Sequence, residues 1–224
     1  MPVLYAHSGH LYLTACEARD RAVASAQKDA NAWPSDAIVA IILSATSTEA
    51  FINELVEFVV LSKSKGDGVS LSRELLAFAG VLEEIEDARG SLALKYLMAS
   101  QTLGGTPFDK GANPFQDFST LITLRNDIMH LKPRDILVSL TPEAAALDVP
   151  KYVVALQQRG LARTPSPGVM ISWFNRLQTS EMAVWATQTA RAIILAVLAL
   201  IPDDPVPTRD PAWMFKTLFR NPPL

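Results

Sequence analysis

Arg125-Asn126-Asp127-Ile128-Met129-His130, followed at once by Leu131-Lys132-Pro133, is the stretch on which the chain's fold turns. Pro133 disfavours helical geometry at Lys132, so a helix arriving from upstream stops there. Upstream, Asn113 suits an N-cap, Pro114 the first helical position and Gln116 the third, as in a capping box. The pattern predicts one helix from Pro114 to about Leu131. Its inner stripe is Phe118, Leu121, Ile122, position 125, Ile128 and Met129. Position 125 is an arginine, so a charge interrupts an apolar face.

A second long helix shows the same anomaly. Ser35 suits the N-cap of a helix from Asp36 to about Leu61. Its stripe is Ile38, Ile42, Ala45, position 49, Ile52, Val56 and Val59, and position 49 is Glu49. A buried carboxylate or guanidinium is costly alone and tolerable when paired. The two interruptions therefore predict that Glu49 and Arg125 approach each other, with Asn53 one turn beyond Glu49. The alternative is that one of them faces solvent at its stripe's edge.

Further helices are expected from Tyr12 to about Ala30, Leu71 to Ala88, Leu92 to Leu103, Lys151 to Gln158 and Ser180 to Ile201. Gly90 breaks the third from the fourth, and Gly104 to Gly111 is a loop. Residues 1–201 are expected to form a single helical domain. Residues 202–224 form a tail with six of the chain's 15 prolines. Its Trp213, Phe215, Leu218 and Phe219 are expected to dock on the bundle or on a partner.

Composition agrees with an all-α fold. Among 224 residues, 49% are hydrophobic and only 10 are glycine. The formal net charge of −3 excludes a chain that is basic throughout, so any RNA contact must be local. Cys16 is the sole cysteine, which excludes an intrachain disulfide and a thiolate metal cluster. Met1 to Leu13 has no basic run ahead of an apolar core, and the longest apolar run, Ala192 to Ile201, is too short for a bilayer. A cytoplasmic protein without membrane attachment and without a cofactor is expected.

Arg125 and His130 are the candidate catalytic pair. Histidine titrates near neutral pH and suits general acid or base work. A guanidinium offers planar donors to phosphate oxygens. Five residues turn about 140° on a regular helix, so the pair can cooperate only if His130 lies at the helix end. The alternative is a surface histidine favoured by the negative end of the helix dipole. Lys132 and Arg134 stand just beyond and could hold flanking phosphates, or be ordinary solvated charge.

Other constellations are weak. Glu83, Glu84, Glu86 and Asp87 read as a solvated face, with no histidine to complete a metal site. His7 and His10 lie near the terminus. There is no Gly-x-Ser-x-Gly elbow and no phosphate-binding glycine loop.

The Arg-Asn-x-x-x-His string resembles the Arg-x(4–6)-His signature of the HEPN superfamily of all-helical domains. Ser47-Thr48-Glu49-Ala50-Phe51-Ile52-Asn53-Glu54-Leu55 is similar to the second-helix signature of a bacterial HEPN-like group. Lys95-Tyr96, Phe108-Asp109, Pro114-Phe115-Gln116-Asp117-Phe118 and Trp185-Ala186 resemble its other landmarks. The likeness covers roughly residues 36–201, by motif order. It implies an antiparallel helical bundle, here with an extra C-terminal helix and the Pro-rich tail, acting as a homodimer. In catalytic members the Arg and His of two subunits line one cleft. Carried onto this chain, Arg125 and His130 would be catalytic, Asn126 and Asp127 would tune the site, and Glu49 and Asn53 would support it.

Two functions follow. One is a metal-independent endoribonuclease, a toxin or a stress or phage-defence effector, with RNA as substrate and an antitoxin protein as partner. The other is a non-catalytic dimer that binds RNA, nucleotides or a protein, since fold does not fix activity. Residues 139–168 and the tail lie outside the likeness.

Overall fold

A computed structural model describes residues 6–64, 71–131, 149–166, 169, 171–202 and 212–220. Among these the fold is all-α, with no strand. The helices are α1 (His7–Lys28), α2 (Asp36–Ser64), α3 (Arg73–Asp87), α4 (Leu92–Gly104), α5 (Phe115–Met129), α6 (Lys151–Gln158), α7 (Trp173–Arg176), α8 (Ser180–Leu198) and α9 (Trp213–Arg220). The bounds of α6 are those expected. α7 and α9 are additions.

The ends of α3 and α4 have local causes, and one other helix end does not. Ser72 and Ser91 each accept an amide three residues on, from Leu75 and Leu94, at 3.2 Å. These bonds satisfy donors that a helix start leaves open. α4 closes on Gly105, left-handed at φ 75°, where glycine has no Cβ to clash. α3 closes on Arg89 at φ 53°, a conformation that costs a non-glycine residue about 1 kcal/mol. Gly90 follows because a Cβ there would fall 2.5 Å from Ile85 Cγ2. The exception is α1, which starts at His7 rather than Tyr12. The Glu54 carboxylate of α2 accepts the Ser8 amide at 3.2 Å on each oxygen and the Ser8 hydroxyl at 2.6 Å. A carboxylate over a helix N-terminus is favourable, and here it comes from elsewhere in the chain.

The buried face of α2 differs from the expected stripe. It runs through Ala37, Ala40, Ile41, Ser44, Ala45, Thr48, Phe51, Ile52, Leu55 and Val59, while Ile38, Ile42 and Val56 are only half-buried. A helix that is apolar nearly all round gives periodicity little contrast with which to find its face. In α5 Phe118, Leu121, Ile122 and Ile128 are buried as expected and Leu124 joins them, but Met129 is 59% exposed. α2 over residues 36–62 and α8 are both long and apolar enough to cross a membrane by length and composition, with 50% and 61% buried within the fold.

The chain divides into two compact units, and α1, α2, α5 and α8 contribute residues to both. The first unit comprises Met1–Leu13, Thr46–Ser119 and Thr189–Leu224. An aromatic seam runs through it. Phe219 lies 5.2 Å from Tyr12 and 6.0 Å from Phe51, and Phe215 lies 5.2 Å from Phe51 and 5.3 Å from Phe58, between ring centres. These rings seat α9 in this unit. Arg191 donates to the Phe219 and Arg220 carbonyls at 2.9 Å, capping the end of α9, and Lys216 Nζ reaches the Pro202 carbonyl at 3.0 Å. Gly9 lets Leu218 approach, since a Cβ there would meet its Cδ1 at 2.8 Å. Tyr96, fully buried, donates to the Thr48 carbonyl at 2.8 Å, and burial pushes its phenol well above the ordinary range.

The second unit comprises Thr14–Ala45 and Thr120–Gln188. Ala18, Ala22, Ala37, Ala40 and Ala183 form a small-residue cluster that lets α1, α2 and α8 pack closely. Arg163 lies over the Trp33 ring at 4.0 Å and donates to the Ala32 carbonyl at 2.7 Å, tying the turn between α1 and α2.

Candidate functional site

The end of α5 carries the motif. Its last helical residue is Met129, and the His130 amide still donates to the Asn126 carbonyl at 3.0 Å. The helix thus ends two positions short of the expected Leu131, and His130 is the first residue past it, with its side chain exposed. Arg125 is half-buried, with its Nε enclosed. Asn126 and Asp127 are exposed. Lys132 and Arg134 lie outside the described residues.

Asp127 does not stand alone. Its Oδ2 accepts the Tyr152 hydroxyl of α6 at 2.5 Å. Nothing in the sequence pairs residues 25 apart across a change of element. A helix at 151–158 is legible there, but its partner is not.

Glu49 and Asn53 belong to the first unit, whereas Arg125, Asn126, Asp127 and His130 belong to the second. Glu49 is half-buried beside the buried face of α2. Asn53 Oδ1 accepts Lys95 Nζ at 2.7 Å, and Lys95 also pairs with Glu86. Lys95 is only 6% exposed, a buried ammonium bridging α2, α3 and α4. Sequence reasoning passes over this role. The available signal is a lysine set within Leu92-Ala93-Leu94 and Tyr96-Leu97-Met98. Glu83, Glu84, Glu86 and Asp87 are exposed, as the acidic run predicts, although Glu86 is also tied to Lys95.

This trio has an asymmetric energetic consequence. The Glu86 side chain is 66% exposed and rehydrates if Lys95 is lost, whereas Lys95 cannot rehydrate if Glu86 is lost. Glu86→Ala is expected to destabilise by about 1–2 kcal/mol, after allowing for solvent screening. Lys95→Met, which keeps the stem's volume, should cost under about 1 kcal/mol. Urea unfolding of both variants checks the order, and the reverse order would refute it.

Among the described residues no three His, Cys, Asp or Glu side chains gather as a metal-binding group. What the end of α5 presents is an exposed imidazole, two exposed polar side chains and a half-buried guanidinium within six residues. Such groups can move a proton and neutralise a phosphate. Comparison with protein families, with curated proteins and with solved structures gave no match.

Proposed function

We propose that the protein is a metal-independent endoribonuclease of HEPN type, a toxin or a stress or phage-defence effector working in the cytoplasm as a homodimer. One observation carries this reading. His130 is exposed at the first position past α5, at the same helix end as the half-buried Arg125. RNA supplies its own nucleophile. His130 takes the 2′-hydroxyl proton, O2′ bonds to phosphorus, and the P–O5′ bond breaks as the partner subunit's His130 protonates the leaving oxygen. Arg125 holds the nonbridging oxygens as charge builds on them. The products are a 2′,3′-cyclic phosphate and a 5′-hydroxyl. An antitoxin protein is the natural second partner of such an activity.

A second reading is a non-catalytic HEPN dimer that binds RNA, nucleotides or a protein. The Asn53–Lys95 bond favours it, because it commits one motif residue to structure.

Purified protein incubated with total RNA in EDTA separates the two. The expected result is cleavage to cyclic phosphate ends by wild type and none by the Arg125→Ala/His130→Ala double variant. Equal degradation by both would expose a contaminant. No degradation by wild type would leave the binding module as the function.

A further inference from the structure

The last turn of α5 has little of its own to hold it. Of Asn126 to His130 only Ile128 is buried, and helix ends unwind readily where packing is sparse. α6 is the opposite. Val153 and Leu156 are buried to 0% and 1% exposure, and Gln157 Nε2 donates to the Arg163 carbonyl at 2.7 Å. Tyr152 therefore projects from a fixed support, and its hydroxyl reaches Asp127 Oδ2 at 2.5 Å. A hydroxyl on a carboxylate at that distance is a charge-assisted bond, among the stronger side-chain pairs. Asp127 sits three residues before His130. It lies one residue beyond Asn126, whose carbonyl closes the turn on the His130 amide.

We propose that Tyr152 is a positioning residue: through Asp127 it keeps the last turn of α5 wound and so fixes where His130 is presented. The structural half stands on these contacts alone. The consequence for catalysis rests on the ribonuclease reading. Tyr152 touches no reacting atom in this scheme; it raises the share of molecules in which the imidazole is in place.

The test uses the full chain and the variants Tyr152→Phe, Asp127→Ala and Asp127→Asn. Asp127→Ala is at an exposed position and keeps the test sound should Tyr152→Phe fold poorly. Amide hydrogen exchange is followed by NMR. Tyr152→Phe and Asp127→Ala should speed exchange at the His130 amide by about threefold, because the roughly tenfold shift in winding that one net hydrogen bond is worth divides, in a marginal turn, between faster exchange and lost wound population. Amides of Leu121 and Leu124 should not change. Asp127→Asn keeps an acceptor oxygen but loses the charge, so its His130 amide should exchange at a rate between those of wild type and Asp127→Ala. In the RNA assay Tyr152→Phe should lower kcat about threefold with KM unchanged, because phosphate-binding groups remain. Unchanged exchange at His130 in Tyr152→Phe and Asp127→Ala would overturn the proposal whatever the RNA assay gives. Faster exchange with unchanged kcat would overturn the positioning role. Should wild type cleave no RNA, the ribonuclease reading fails, and exchange alone decides whether Tyr152 holds the turn.

Discussion

Replacing His130 by alanine is expected to slow RNA cleavage by about 10³-fold or more, the upper range for losing a general acid or base. In a symmetric dimer one substitution removes both the group that takes the 2′-proton and the group that protonates the leaving oxygen. Stability should barely move, by under about 0.5 kcal/mol, because His130 is exposed and outside α5. Arg125→Ala should differ. It also removes activity, but it strips a half-buried stem and lowers the melting temperature. Single-turnover rates and thermal melts on the same preparations read both effects. A His130→Ala protein that cleaves at the wild-type rate would end the catalytic assignment.

Phe219→Ala should produce the largest loss of stability, about 3–5 kcal/mol. The ring is fully buried against Tyr12 and Phe51, and its removal leaves a cavity at the join of α1, α2 and α9. The loss also loosens the backbone whose carbonyls Arg191 caps. Trp213 on the same helix is 47% exposed, and its alanine variant should cost under about 0.5 kcal/mol. Urea unfolding followed by circular dichroism measures both. A Phe219→Ala cost below about 1 kcal/mol would mean that the aromatic seam is not what seats α9.

Local chemistry makes most of the helices legible. Serine caps and glycine at a left-handed position each act within four residues, so Ser91 and Gly105 mark boundaries that sequence can carry. What sequence cannot carry is a partner far along the chain. α1 begins early because Glu54, 46 residues away, supplies its cap. Lys95 is tolerated in the interior because Asn53 and Glu86 meet it. Tyr152 reaches Asp127 from a separate helix. The end of α5 is legible because the helix stop and the motif coincide. The face of α2 is not, because Ile38, Ile42 and Val56 are as apolar as the residues that are buried.

The seating of α9 also sets an order of events during synthesis. Phe51 and Phe58 leave the ribosome long before Phe215 and Phe219, the rings that contact them. Until residue 220 has emerged, that part of α2 is apolar surface without its cover, and the first unit is incomplete. Contacts so distant along a chain form late and leave sticky intermediates. Translation that stalls before α9 should thus release chains that aggregate or occupy chaperones.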